Sequence, residues 1–261
     1  RGKVLTATAV ETRATELGLP VLHKGRKADL VDLELDVDVA VVVAYGAIIP
    51  PGLLARPPAG FVNVHFSLLP RWRGAAPVER SILAGDDPVG VTLMAMDEGL
   101  DTGPVIATSE VAPGVMDAGS LTSVLSALGT SLLAEHLEDW VAGSLGATPQ
   151  PDGATYAPKL EKHEGRLDPR EPAEALARRV RAMTPRPGAF LETTSGRLGV
   201  TGETAVPTVL DPGTLLPAGE GVLLGTTAGS LLFTGVQPPG KRHMRATDWA
   251  NGRRGDLGEA T

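Results

Sequence analysis

Three polar side chains of different chemistry lie at the ends of short apolar segments: an amide, an imidazole and a carboxylate. Asn63 and His65 are two residues apart, so on an extended strand both project from the same face. Asp101 lies in the turn-rich segment 99–103 (GLDTG), which follows a second apolar run. Burying three polar groups together costs free energy unless each is hydrogen-bonded, and such an arrangement usually indicates a reactive site.

This set of groups suits the direct transfer of an acyl group to an amine. The amide of Asn63 can stabilise an oxyanion, a contact worth roughly a hundred- to a thousand-fold in rate. His65 can exchange a proton with the attacking or leaving group near neutral pH, and Asp101 can orient the imidazole and stabilise its cation. No serine or cysteine lies in a nucleophile-elbow context, so a covalent intermediate is not indicated.

A purely structural interpretation of the same residues stays open at this point. Asparagine and aspartate also serve as helix caps and turn formers. A single histidine on a strand is more often a buried, hydrogen-bonded residue than a catalyst. Residue types alone therefore do not decide between a reactive site and a set of structural polar groups.

The composition is that of an ordinary globular protein, with 42% hydrophobic residues in 261 and a mean hydropathy of +0.05. The absence of cysteine excludes disulfides, zinc–thiolate sites and thiol catalysis, and it fits a reducing compartment. The longest apolar run, 39–49, is too short to span a bilayer, and there is no signal-peptide pattern. We therefore expect a cytoplasmic protein without a membrane partner.

The remaining histidines lie in polar or linker contexts, without the spacing that is typical of metal ligands. Most such histidines are simply solvated. The sequence therefore predicts no metal site. These histidines are His23, His136, His163 and His243.

Strands and helices alternate in the first half of the chain, which predicts a doubly wound α/β domain. Residues 37–45 form a continuous β-branched run, typical of a strand buried on both faces of a parallel sheet. The chain enters its first helix, at 7–17, without a strand before it, so upstream residues are expected to be absent. The other predicted elements are strands at 61–66, 89–96 and 105–111 and helices at 75–84 and 120–141.

The second half of the chain differs in composition and in its predicted elements. Residues 146–160 are rich in proline and glycine and are typical of a linker. A helix is predicted over 171–183, with arginines opposite its apolar face, and short alternating segments over 188–236 predict a small β-barrel. We expect a catalytic domain at 1–144, a linker at 145–163 and a β-rich domain at 164–261.

Charge is also divided between the two halves. The net charge is −7, which by itself argues weakly against a nucleic-acid partner. Residues 1–158 carry −9, whereas residues 159–261 carry +2. This difference suggests that the halves have different roles.

The long motif around the first two polar residues resembles the folate-dependent formyltransferases, and most closely the methionyl-tRNA formyltransferase family. The motif runs over 63–77 (NVHFSLLPRWRGAAP), and 99–103 (GLDTG) follows it. Further matches come in order at 44–46 (AYG), 156–160 (YAPKL) and 237–241 (QPPGK). The resemblance covers nearly the whole chain.

The resemblance implies a fold and a reaction. It implies a Rossmann-like domain followed by a C-terminal β-barrel of OB type, and formyl transfer from 10-formyltetrahydrofolate to the amino group of initiator methionyl-tRNA. Asn63, His65 and Asp101 fall on the family's catalytic triad. The pterin is expected to be held largely by main-chain groups near the 99–103 loop and the folate-binding segment Ser67, Leu68, Leu69 and Pro70.

Basic residues in local patches are the candidates for contact with tRNA, since the chain as a whole is acidic. Lys241 and Arg242 lie in a predicted loop after the barrel strands and are suited to bind phosphate. Arg1 and Lys3 look like the tail of a basic tRNA-contacting loop. Arg71 and Arg73 complete the set; Trp72 between them could stack on RNA, although simple packing is favoured without the resemblance.

Related functions that share the triad remain as alternatives. Glycinamide ribonucleotide formyltransferases generally lack the extra β-domain, and formyltetrahydrofolate hydrolases typically carry a different accessory domain. Nucleotide-sugar formyltransferases can have a C-terminal extension, but the 71–77 and 237–241 motifs favour the tRNA enzyme. A binding module without activity is the non-catalytic alternative.

Phe66 stands where many relatives carry a small residue, and it is expected to narrow the pocket beside His65. We expect a monomer.

Overall fold

The computed structural model describes residues 7–23, 30, 33–253 and 257–260. The first half of the chain begins with a capped helix and continues with a mixed sheet. Helices from 77–84 and 118–141 pack against this sheet. The helices are α1 (Ala9–Glu16), α2 (Pro51–Leu54), α3 (Pro77–Ala84) and α4 (Ala118–Val141). The strands are β1 (Ala40–Val43), β2 (Phe61–His65), β3 (Arg73–Gly74), β4 (Val89–Ala95) and β5 (Val105–Val111).

The main sheet has the order β1-β2-β4-β5 and is mixed rather than parallel. Among the described strands of this sheet, β1 and β2 pair in parallel, while β2–β4 and β4–β5 are antiparallel. A parallel pair needs a long crossover, and the short loop from β4 to β5 cannot supply one. The α/β architecture predicted from the sequence is confirmed, and the parallel pairing expected for the 37–45 strand is limited to its pairing with β2.

Strand β1 is not buried on both faces as its sequence predicts. It lies at the end of the strand order within the described residues, and its residues alternate in burial. Val41 and Val43 are 39% and 51% exposed. The β-branched run therefore signalled a strand correctly, while the number of layers covering it depends on neighbours that no local pattern reveals.

Helix α4 covers the central strands with an aliphatic face. Leu121 and Leu125 are fully buried and pack in one cluster with Val62 and Leu93. The helix begins at Asp117, whose carboxylate accepts a hydrogen bond from the Ser120 amide at 2.7 Å. This packing fixes β2, the strand that carries two of the three candidate catalytic residues.

The predicted linker is ordered against the first domain. Strand β6 (Tyr156–Ala157) pairs in parallel with β3, and a 3-10 helix follows at Lys162–Gly165. Before β6, Thr148 forms a β-bridge with Val105. The proline and glycine content therefore reflects an irregular path along a surface rather than a free tether.

The described residues of the second half form helix α5 (Ala173–Met183), six strands and helix α6 (Ala246–Gly252). The strands form an antiparallel sheet in the order β7-β8-β11-β10-β9, with β12 beside β11. Bridges from Ala260 to Thr193 and from Glu259 to Thr214 connect the two ends of this sheet, so the predicted small barrel is confirmed. The strands are β7 (Ala189–Thr193), β8 (Gly196–Val206), β9 (Leu215–Ala218), β10 (Gly221–Gly225), β11 (Ser230–Gln237) and β12 (Met244–Arg245).

Helices α3 and α5 join the two halves. Arg80 on α3 forms a 2.6 Å ion pair with Glu164 and donates to the Pro158 carbonyl at 3.0 and 3.1 Å. From the other side, Arg178 on α5 donates to the Leu83 carbonyl at 3.3 Å.

Across the described residues, no helix combines the length and apolar character needed to cross a membrane.

Candidate active site

Strand β2 delivers the amide and the imidazole to one place. Asn63 lies opposite Met94 and His65 lies opposite Thr92 in the antiparallel register with β4. Both side chains project from the same face of β2, as the two-residue spacing predicts. They are only 9% and 6% exposed, which means that their polar atoms depend on protein partners for hydrogen bonds.

Asp101 meets both of them from the 99–103 loop. Its Oδ1 accepts from the Asn63 Nδ2 at 3.4 Å, and its Oδ2 lies 3.7 Å from the His65 Nδ1. The Gly74 amide donates to the same Oδ2 at 2.7 Å and anchors the carboxylate. Residues separated by nearly forty positions are thus brought together in the arrangement that the sequence predicts.

A backbone carbonyl determines the tautomer of the histidine. The His65 Nε2 lies 2.9 Å from the Trp72 carbonyl oxygen, and because that oxygen can only accept, Nε2 must carry a proton. In the neutral ring Nδ1 is then the free base, and it faces the Asp101 carboxylate. A second proton at Nδ1 gives an imidazolium beside a fixed negative charge.

Trp72 is held by its neighbours in a way that favours the packing interpretation. Its backbone has a φ of +63°, and its Nε1 donates to the Asp86 Oδ2 at 2.6 Å. The Arg71 guanidinium lies 4.4 Å from the ring centroid and forms two hydrogen bonds with Asp86, at 2.6 and 2.7 Å. Burial raises the pKa of Asp86, but the hydrogen bonds from Arg71 and Trp72 outweigh it and leave the pKa below its usual value.

The segment 67–70 is braced by a threonine that sequence reasoning missed. The buried Thr92 hydroxyl donates to the Ser67 carbonyl at 2.7 Å and accepts from the Leu69 amide at 3.0 Å. The Ser67 hydroxyl in turn donates to the Arg71 carbonyl at 2.6 Å. Thr92 is the one polar side chain in its apolar strand, which is the signal that could have identified it, although its partners depend on tertiary contacts.

A cavity of about 230 Å³ lies beside this segment. Ser67, Leu68 and Phe66 line it, together with the Arg71–Trp72 pair and residues 86–90. Phe66 therefore lines a cavity of the protein, while its expected effect on the pocket beside His65 stays a prediction. The three candidate catalytic residues are not among the lining residues, so this cavity alone does not present a ligand to them.

The candidate tRNA-binding residues fall into three groups. Arg1 and Lys3 lie outside the described residues. Arg71 is paired with Asp86, and the Arg73 guanidinium donates to the Gln150 side chain at 2.7 and 3.1 Å. Lys241 and Arg242 are exposed in the turn after β11, as predicted. Arg71 is also exposed in a turn, but its guanidinium is paired with Asp86.

The arginines of α5 are engaged with the protein rather than presented as a row of free cations. Arg179 forms a 2.6 Å ion pair with Glu171, and Arg181 lies 4.0 Å from Glu203.

Of the described residues, no three His, Cys, Asp or Glu cluster closely enough to hold a metal ion.

Family models match both halves of the chain. A formyl transferase model matches residues 23–133, and a model of the formyl transferase C-terminal domain matches residues 159–254. The interval between the two matches, residues 134–158, overlaps part of the linker predicted at 145–163.

Relatives of known activity match over nearly the full length. The methionyl-tRNA formyltransferase of Parvibaculum lavamentivorans is 43% identical over 97% of this chain and 84% of its own. The corresponding protein of Halorhodospira halophila is 45% identical with the same coverage. Among solved structures, HypX from Aquifex aeolicus in complex with tetrahydrofolic acid aligns with a TM-score of 0.65 and 21% identity, over 82% of this chain and 38% of HypX; this likeness shows the fold alone.

Proposed function

The chain belongs to the methionyl-tRNA formyltransferase family, and we propose that Asn63, His65 and Asp101 carry out its formyl transfer. The enzyme transfers a formyl group from 10-formyltetrahydrofolate to the free amino group of initiator methionyl-tRNA, for translation initiation. One observation carries the assignment of the site: the Asp101 carboxylate lies 3.4 Å from the Asn63 amide and 3.7 Å from the His65 ring, although Asp101 is on a loop far from β2 in the sequence.

The reaction begins when the uncharged methionyl amine attacks the formyl carbon. The carbonyl oxygen becomes an oxyanion in the tetrahedral intermediate, and the Asn63 Nδ2 is a neutral donor suited to stabilise it. Since Asn63 is buried, little water competes for that donor. Collapse of the intermediate breaks the bond to the tetrahydrofolate nitrogen, which leaves with a proton.

His65 and Asp101 are assigned to the transfer of the proton that the attacking amine loses and the leaving nitrogen gains. The amine loses a proton as it bonds to carbon, and the unprotonated Nδ1 of His65, which faces Asp101, accepts it through a bridging water. The resulting imidazolium lies 3.7 Å from the Asp101 carboxylate, which stabilises it. The imidazolium then gives this proton to the leaving tetrahydrofolate nitrogen. The Nε2–H is held by the Trp72 carbonyl, so its use on the oxyanion requires a shared hydrogen bond or a small rotation of the ring.

The folate donor is assigned to the segment of Ser67, Leu68, Leu69 and Pro70. This segment follows His65 closely in the sequence, and Thr92 holds it in place through two hydrogen bonds. Main-chain groups of the segment can bind the polar edge of a pterin. The 99–103 loop forms the opposite side, since it carries Asp101. No metal is needed for the steps above.

Basic residues of both domains are assigned to contacts with the tRNA acceptor. Arg71, Arg73, Lys241 and Arg242 remain the assigned cations, with Arg1 and Lys3 as further contacts. Lys241 and Arg242 have the strongest case because both are exposed on one turn of the less acidic half. Domain limits of 1–144, 145–163 and 164–261, a monomeric state and a cytoplasmic location complete the proposal.

Reversing both charges, Lys241→Glu with Arg242→Glu, is expected to raise the KM for methionyl-tRNA about tenfold or more at low salt. Loss of phosphate contacts weakens binding and flattens its dependence on salt, by a slope of about 0.9 for each contact removed. The measurement is kcat and KM across a series of salt concentrations. Arg197→Glu is the matched control, because this barrel arginine is paired with Glu192. A double variant whose tRNA kinetics equal the wild type at every salt concentration removes this turn from the tRNA site.

An acceptor competition tests the reaction itself. Labelled 10-formyltetrahydrofolate is offered with methionyl-tRNA, a ribonucleotide amine, an amino-sugar nucleotide or water alone. We expect label to appear on methionyl-tRNA. Preferential labelling of the amino sugar or the ribonucleotide, or release of formate, would assign the enzyme to one of the alternative acceptors.

A further inference from the structure

One side chain of the linker, Gln150, uses its amide nitrogen to bind the 99–103 loop and its amide oxygen to bind Arg73. The Gln150 Nε2 donates to the Asp101 carbonyl at 2.9 Å and to the Gly103 carbonyl at 2.7 Å. Its Oε1 accepts twice from the Arg73 guanidinium, at 3.1 and 2.7 Å. A single amide therefore connects the two segments that surround the Asp101 carboxylate.

The backbone at Asp101 needs such support. Its φ of +52° lies in the left-handed region, which aspartate tolerates but which costs free energy for any residue with a Cβ. The Asp101 carbonyl and the Asp101 side chain are both attached to the same Cα, so the backbone torsions at this residue set the direction of both. Fixing that carbonyl and the one at Gly103 limits rotation of the loop backbone at Asp101 and over the two residues that follow it.

We propose that Gln150 is a positioning residue for formyl transfer, acting through Asp101. The inference rests on the proposed role of Asp101 and adds a residue from the linker to the machinery. The donor groups of Gln150 hold the loop backbone, so that the carboxylate stays within reach of Asn63 and His65. Its acceptor holds Arg73, whose neighbour Gly74 donates to the same carboxylate at 2.7 Å.

The docking of the linker does not depend on this side chain. Thr148 and Val105 exchange two backbone hydrogen bonds of 2.8 Å, and the Arg73 amide donates to the Thr155 carbonyl at 2.9 Å. These bonds hold the linker before and after Gln150. Removing the side-chain amide is therefore expected to loosen the Asp101 loop while the linker stays in place.

The variant Gln150→Glu isolates the donor function, because glutamate has the same shape and can still accept from Arg73. It cannot donate to the two carbonyls, and its charge repels them. We expect kcat to fall about tenfold to a hundredfold, the size of effect that follows a small misplacement of a reacting group. KM for methionyl-tRNA and the melting temperature stay close to wild type. Asn251→Asp, the same change on an exposed residue of α6, is the matched control and leaves all three values unchanged.

A double-mutant cycle with Asp101→Asn distinguishes positioning from general destabilisation. If Gln150 acts through Asp101, then Gln150→Glu lowers kcat in the wild-type background and has little further effect once the carboxylate is gone. Equal effects in both backgrounds, or a normal kcat for Gln150→Glu alone, overturn the inference. A normal kcat for Asp101→Asn alone overturns instead the proposed role of the triad.

Discussion

Replacing Asp101 with asparagine is expected to lower kcat by about a hundredfold or more, with the fold intact. The carboxylate accepts from the Gly74 amide and the Asn63 amide and faces the His65 Nδ1. An asparagine side chain has one acceptor atom, so its NH₂ group must face one of these donors. The imidazolium that forms during proton transfer also loses its counter-charge, and proton transfer of this kind contributes about 10² to 10⁴ in rate.

The matched control is Asp97→Asn in the same loop. The Asp97 Oδ1 accepts from the Gly99 amide at 3.0 Å and from the Thr102 hydroxyl at 2.5 Å, and one amide oxygen can replace it. We expect near-normal turnover for this variant in single-turnover assays, where chemistry is separated from product release. If both variants lose activity equally, loop structure and not the Asp101 charge accounts for the effect.

The local elements of the fold were predictable because their signals are local. The aliphatic pattern of 173–183 identified the buried face of α5, and the proline and glycine at either end of α3 marked its limits. The two-residue spacing of Asn63 and His65 placed both on one face of β2. Such patterns depend on covalent geometry, which the sequence states directly.

The direction of the strands and the supports of the site were not predictable in the same way. Whether β4 runs with or against β2 depends on the path of the chain between them, and the segment 66–88 holds both a helix and an irregular turn. Thr92, the Trp72 carbonyl and Gln150 each hold a site residue through hydrogen bonds across tertiary contacts. Because threonine, glutamine and backbone groups are common everywhere, their residue types do not identify the site residue that each one holds.

Replacing Asn63 with alanine is expected to have an effect of similar size for a different reason. The change removes the neutral donor assigned to the oxyanion and leaves His65 and the bond from Gly74 to Asp101 in place. Since the oxyanion exists only in the transition state and intermediate, the loss should fall on kcat, about a hundred- to a thousand-fold, with KM for folate and methionyl-tRNA little changed.

The cost to stability and the effect on catalysis can be separated within this experiment. Asn63→Ala leaves a small cavity on a buried strand, so thermal unfolding is measured beside turnover. Asn63→Asp is the matched variant, because it keeps the volume but replaces the donor with a second carboxylate beside Asp101. Two well-folded variants that both lose kcat would locate the catalytic contribution in the amide N–H. A fully active Asn63→Ala would contradict it, because no packing change can supply the missing donor.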